Sequence, residues 1–199
     1  MKNFDIVNNI CEDHIKVVQL VNKDLKTEIL HCLEVICGAI DNYGKLILVG
    51  NGGSAADAQH IAAEFTGRFR IERNPLPAIA LTTDTSALTA IGNDYGFDAI
   101  FSRQLHALGN AGDVLLAIST SGNSPNILNA VKSARKLHIQ SIGLTGMGGG
   151  RLKDMCDRVI SIPSSNTARI QEAHILIGHI FCELVDQMIA RNSIEHGMS

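Results

Sequence analysis

Lys45-Leu46-Ile47-Leu48-Val49-Gly50-Asn51-Gly52-Gly53-Ser54 is the stretch that decides the fold. A short apolar run passes straight into a glycine cluster, and the cluster opens a helical pattern over 54–67. An unbroken apolar run is how a strand buried on both faces reads, and a glycine turn into a helix begins a parallel β–α unit. The same grammar continues downstream. Short apolar runs lie at 77–81, 113–119, 140–144 and 158–162, separated by helical patterns at 85–92, 98–108, 125–138 and near 151–156. The pattern predicts an α/β protein: a five-stranded parallel sheet flanked by helices in three layers.

Upstream, residues 4–42 hold one glycine, Gly38, and no proline. Val21, Leu25, Ile29, Leu33, Ile36 and Ile40 fall three or four apart, one face of a helix or of two consecutive helices. Residues 1–42 thus read as an N-terminal helical arm of the same domain as 43–199. Its stripe must be covered by the domain or by a second subunit. A last helix is expected from 167 to 191. Ile175, Leu176, Ile177, Ile180, Phe181, Leu184, Val185, Met188 and Ile189 cover most of its circumference. In a chain of 199 residues the natural cover for such a helix is a partner subunit, so a homo-oligomer is expected.

Composition narrows the function. With 45% hydrophobic and 19% charged residues the chain folds. No run approaches about 18 consecutive apolar residues, so no membrane span is expected. The start, Met1-Lys2-Asn3-Phe4-Asp5, lacks a secretory pattern, and a cytoplasmic location is the expectation. A net charge of −3, no Trp and 4% aromatics exclude a nucleic-acid surface built on bulk charge or base stacking. Cys11, Cys32, Cys37, Cys156 and Cys182 are odd in number and form no CxxC, which fits small buried thiols in a reducing compartment.

Ligands of an open parallel sheet bind beyond the carboxyl ends of its strands, and three loops there stand out. The 50–53 glycines allow backbone amides to approach a ligand closely. Ser54 and Asp57 have capping-box spacing, so Ser54 is expected to cap the helix. The loop matches neither a dinucleotide fingerprint nor a P-loop, and no nucleotide cofactor is expected. Ser119-Thr120-Ser121-Gly122-Asn123-Ser124 offers four hydroxyls just before Pro125, a first-turn proline. Hydroxyls at a helix N-terminus suit a phosphate without Lys or Arg. In residues 81–86 and in Gly92-Asn93-Asp94-Tyr95-Gly96, Asp and Asn read as caps and turn formers.

Titratable groups gather on two helices. His60 and Glu64 share a face one or two turns below the glycine loop, and Gln171, His174 and His179 lie on the last helix. Imidazole and carboxylate meeting in a cleft can bind a metal or move protons. Spacing alone does not join the two groups. Arg68 and Arg169 read as surface ion-pairing residues, His31, His106, His138 and His196 as surface or packing residues, and Gly148-Gly149-Gly150 as a turn.

These residues carry a resemblance. Gly50-Asn51-Gly52-Gly53-Ser54-Ala55-Ala56-Asp57-Ala58-Gln59-His60, Ala63-Glu64, Gly92-Asn93-Asp94-Tyr95-Gly96-Phe97, Ile118-Ser119-Thr120-Ser121-Gly122-Asn123-Ser124 and Ala168-Arg169-Ile170-Gln171-Glu172 resemble the bacterial phosphoheptose isomerases of the sugar-isomerase (SIS) superfamily. The resemblance implies a flavodoxin-like SIS fold and conversion of sedoheptulose 7-phosphate to D-glycero-D-manno-heptose 7-phosphate, the first step toward nucleotide-activated heptose for lipopolysaccharide core or other surface glycans. It implies a cytoplasmic homotetramer with zinc, one per subunit. It makes Glu64 and His179 catalytic, and His60, Glu64, Gln171 and His179 metal ligands. It assigns Asn51, Gly52, Gly53, Glu64, Asn93, Asp94, Ser119, Thr120, Ser121, Ser124 and Gln171 to the substrate. Gln171 and His179 are eight residues apart, a rise of about 12 Å on one helix, so one metal needs leaning side chains or two subunits to hold both. The alternative within the superfamily is a non-enzymatic SIS protein that binds the DnaA replication initiator. Such relatives lack the carboxylate and second imidazole that stand here as Glu64 and His179.

Overall fold

The chain opens with two helices, α1 (Lys2–Asp24) and α2 (Lys26–Asp41), which continue one apolar stripe across a break at Leu25. The computed structural model describes residues 2–195, so His196 lies outside the described residues. Strands and helices then alternate: β1 (Leu46–Gly50), α3 (Gly53–Thr66), β2 (Ala78–Ala80), α4 (Thr85–Tyr95), α5 (Ile100–Leu108), β3 (Val114–Ser119), α6 (Pro125–Lys136), β4 (Gln140–Thr145), β5 (Arg158–Ser161) and α7 (Thr167–Glu195). Short 3-10 turns occupy Phe97–Ala99 and Gly150–Asp154.

All five strands are parallel, in the order β2-β1-β3-β4-β5. Every residue of β1 and β3 is buried, as their unbroken apolar runs require. Alternate side chains point to opposite faces. Leu46, Leu48, Leu116 and Ile118 join the core with α2, α3 and α7, whereas Ile47, Val49, Leu115 and Ala117 join the core with α5 and α6. The expected three layers and five strands are therefore present. The strand order reverses between β1 and β3, so the loops after these two strands flank the crevice where an open sheet binds its ligand.

α7 is long and apolar enough over Thr167–Arg191 to cross a membrane by length and composition, and 44% of that window is buried in this fold. Ile170, Ala173, Ile177, Phe181 and Val185 enter the core, while Ile175, Ile180, Leu184 and Ile189 pack at its edge. α1 lies against α7: Arg169 donates to the Ile10 carbonyl at 3.1 Å, and His14 Nδ1 is 2.7 Å from Glu172. Arg169 is thus buried and paired with Glu172, which raises the guanidinium pKa, rather than being a surface residue as expected. The arm covers it. Arg68 does form the expected exposed pair, 3.5 Å from Glu72.

The cysteine expectation needs correction at two positions. All five thiols are free, and burial pushes Cys32 and Cys182 up to about 12 and Cys37 up to about 11. Cys11, however, is exposed beside Arg169 and Glu172 of α7, and Cys156 is half-buried.

Candidate active site

The glycine loop and the serine turn meet at the crevice between β1 and β3. Gly52 has φ +55° and ψ −121°, backbone open to glycine, and it occupies the cap position of α3. This corrects the expectation for Ser54. The helix starts one residue earlier, so Ser54 lies inside the first turn, buried, with its amide on the Asn51 carbonyl at 3.0 Å. Asp57 then has no cap to complete. Its Oδ2 is buried without a partner, and burial, opposed by His60, pushes its carboxyl up to about 6.

Asn51 spans the crevice. Its amide exchanges two hydrogen bonds with Asn126, at 2.9 and 2.8 Å, tying the glycine loop to the first turn of α6. Sequence reading missed Asn126. The sequence offers only its place directly after Ser124-Pro125; the structure shows it fully buried.

In the serine turn three hydroxyls converge: Ser119 Oγ lies 3.2 Å from Ser124 Oγ and 3.5 Å from Ser121 Oγ. Ser124 is the cap residue of α6, yet its hydroxyl makes no cap hydrogen bond, and Pro125 follows. The hydroxyls therefore face one another at the positive end of a helix, the setting an anion favours. Thr120 anchors the turn by its carbonyl, which accepts from Gly146 at 2.9 Å. Gly148-Gly149-Gly150 is more than a turn. All three residues have positive φ, and a Cβ on Gly122 or Gly150 would drive into the facing carbonyl of Gly149 or Ser121. The two loops are stacked backbone to backbone.

α3 and α7 run side by side in the same direction: Gly53 faces Gln171, and Ile61 faces Gly178. The pairing brings His60 Nε2 within 2.9 Å of His179 Nε2 and within 3.5 Å of Glu64 Oε1. The Phe69 ring stacks on His179 with centroids 5.4 Å apart. Glu64, His60 and His179, from two segments that no spacing rule could join, form one contiguous cluster. Gln171 does not join it; its amide is seated against Gly53, where even a Cβ would come within 2.5 Å. His174, one turn on, is buried in the core and bonds the Thr145 carbonyl at 3.1 Å.

Asn93 and Asp94 are exposed near the end of α4, and Asn93 donates to Asp94 at 2.8 Å. Asp84 caps α4 through the Ala87 amide, as the turn chemistry predicted. A cavity of 680 Å³ lined by Ile40, Ile71, Arg73, Leu76 and Ile189 contains none of the candidate residues.

Among the described residues no three His, Cys, Asp or Glu side chains already stand as a metal-ligand group. The donor chemistry nonetheless fits zinc, which takes imidazole nitrogen and carboxylate oxygen. In a 2.9 Å contact between two Nε2 atoms only one nitrogen carries the shared proton. The accepting imidazole nitrogen and the Glu64 carboxylate, 3.5 Å from His60 Nε2, are donor types that zinc takes.

Comparison with known proteins identifies the family. Residues 11–146 match the SIS domain family model. Phosphoheptose isomerase 1 of Campylobacter jejuni is 52% identical over 183 residues, 92% of this chain and 98% of that protein. The structure of the phosphoheptose isomerase from Neisseria gonorrhoeae superposes with TM-score 0.88 at 47% identity, covering 94% of this chain and 100% of that one. That from Francisella tularensis gives TM-score 0.91 at 43% identity with the same coverage. With the fold, the family model and near-full-length relatives in agreement, the chain belongs to the phosphoheptose isomerase family of SIS-domain proteins.

Proposed function

We propose that this protein converts sedoheptulose 7-phosphate to D-glycero-D-manno-heptose 7-phosphate through an enediol, with Glu64 as base and His179 as its acid/base partner. The observation that carries the proposal is the Glu64–His60–His179 cluster on α3 and α7, with α3 starting at the glycine loop that Asn51 ties to the first turn of α6, directly after the serine turn. Glu64 takes the proton from C1 of the ketose. His179 handles the oxygen protons, delivering one to the C2 oxygen and accepting one from the C1 hydroxyl. Glu64 then returns its proton to C2, and the aldose forms. The proton balance closes with no redox change and no co-reactant.

The hydroxyls of Ser119, Thr120, Ser121 and Ser124 hold the terminal phosphate, so binding energy from the far end of the sugar orients the reacting end. Gly52, Gly53 and Gln171 line the path between, and Asn51 acts through its grip on Asn126. Asn93 and Asp94, exposed on α4, reach substrate from a neighbouring subunit of a homotetramer. His60, Glu64 and His179 would hold a zinc ion, with Gln171 entering as ligand only if its side chain leaves Gly53 or comes from another subunit. Bound zinc supplies a Lewis acid that polarises the carbonyl and stabilises the enediolate. The product feeds nucleotide-activated heptose for lipopolysaccharide core or other surface glycans, in the cytoplasm. The initiator-binding alternative has no observation in its favour, since the carboxylate and second imidazole it would lack are both present and adjacent.

A direct turnover assay with the seven-carbon ketose phosphate tests this reading, with a six-carbon ketose phosphate as control. Wild type turns over the former. Glu64→Gln loses turnover by at least about a hundredfold, the usual scale for a general base, yet still binds substrate. Wild-type activity in Glu64→Gln removes the assigned base. Full activity of a verified metal-free preparation removes zinc.

A further inference from the structure

Two side chains outside the crevice are almost completely sequestered and oppositely charged. Arg73 and Asp186 have side-chain exposures of 2% and 3%, and Arg73 Nε lies 2.7 Å from Asp186 Oδ1. Burying two charges is costly unless every polar atom is satisfied. Here the satisfaction has a direction. Arg73 Nη2 donates to the Glu64 carbonyl at 2.8 Å, and Nη1 donates to the Phe65 carbonyl at 3.0 Å. These are terminal carbonyls of α3, left without intrahelical partners, at the negative end of the helix dipole. One guanidinium therefore caps α3 through the peptide of Glu64 itself.

The other half of the pair belongs to α7. Asp186 lies seven residues, two turns, beyond His179, on the same helix face. Its Oδ2 accepts the backbone amides of Arg70 at 2.8 Å and Ile71 at 3.2 Å. Burial alone would raise its carboxyl, yet these amides and Arg73 hold it below the ordinary carboxylate range. The segment between α3 and β2 thus wraps onto α7, and it also carries Phe69, whose ring stacks on His179. Between this anchor and the crevice, Gly178 lets the helices approach so closely that a Cβ would come within 2.5 Å of Ile61.

We propose that Arg73 and Asp186 are positioning residues for catalysis: their buried pair sets the spacing and rotation of α3 against α7, and hence the reach of Glu64 and His179 to one sugar carbon. The proposal rests on the Glu64/His179 mechanism given above. Neither residue touches substrate. Their effect passes through the Glu64 peptide on one side and the rigid α7 on the other. A shift of 1 Å in reacting groups can cost about a hundredfold in rate, so a small change of helix rotation suffices.

The test is steady-state kinetics on Arg73→Lys and Asp186→Asn, with circular dichroism and thermal melts to establish folding and Glu64→Gln as control. The expected result is a fall in kcat of at least tenfold in both folded variants, with KM for the ketose phosphate within threefold of wild type, because the serine turn is untouched. A kcat within twofold of wild type in either folded variant overturns the proposal. So does a rise in KM at constant kcat, or failure of both variants to fold, which would make the pair purely structural. The control separates the two readings. Wild-type turnover by Glu64→Gln defeats the mechanism itself, whereas an inactive Glu64→Gln beside fully active pair variants defeats only the positioning role.

Discussion

His174 illustrates how one buried side chain makes stability depend on pH. Its Nε2–H donates to the Thr145 carbonyl, its Nδ1 has no partner, and burial pushes its pKa down to about 4. The folded state holds the ring neutral, while the unfolded chain takes up a proton below about pH 6.5. Stability is therefore complete above that value and is lost as pH falls toward 4. At pH 4.5 the loss from this residue is about 2–3 kcal/mol at 1.36 kcal/mol per pKa unit. His174→Gln keeps an N–H for Thr145 without the titration. Urea unfolding at pH 7.5 and 4.5 should give the variant the smaller difference, and an equal difference would assign the acid sensitivity elsewhere. Asp57 has the opposite sign: with its carboxyl raised to about 6, its burial disfavours folding at neutral pH and ceases to do so in acid.

At the scale of elements, the serine turn is held by the glycine turn behind it. The Leu152 amide donates to the Gly122 carbonyl at 3.0 Å and the Arg151 amide to Asn123 Oδ1 at 3.1 Å, so the start of the 3-10 turn is bonded to the loop it supports. Gly150 has φ +55° and sits directly on the Ser121 carbonyl, so a methyl group there both strains the backbone and pushes Ser121 away. Gly150→Ala should raise KM for the phosphorylated ketose about tenfold, equivalent to about 1.4 kcal/mol, and weaken inhibition by inorganic phosphate in parallel. Unchanged phosphate inhibition would detach this turn from the anion. The triplet reads as an ordinary turn in the sequence because its partner loop is a whole β–α unit away.

At the scale of the whole molecule, the apolar surface exceeds what one chain covers. Phe4, Ile6, Val7 and Ile10 on α1 are all about half exposed or more, and α7 presents half-buried apolar residues beside its core face. Surface of this kind is what the partner subunits of the proposed homotetramer would cover. Light scattering on the purified protein should give a mass near four times 21.4 kDa, and Ile10→Asp should lower mass and activity together. A fully active monomer would rule out a site shared between subunits and leave Asn93 and Asp94 without a role.

The elements and the loops that flank the crevice were legible in the sequence, because strand period, helix period, glycine punctuation and a first-turn proline are properties of neighbouring residues. Tertiary structure alone decided that His60 meets His179 across 119 positions, that Arg73 answers Asp186, that Asn126 takes the amide of Asn51, and that Gln171 stands by Gly53 rather than with the imidazoles. The reason is geometric. Hydrophobic patterning specifies which face of a helix is buried, whereas the level at which two helices touch depends on where a glycine lets them approach and where a buried charge finds its partner.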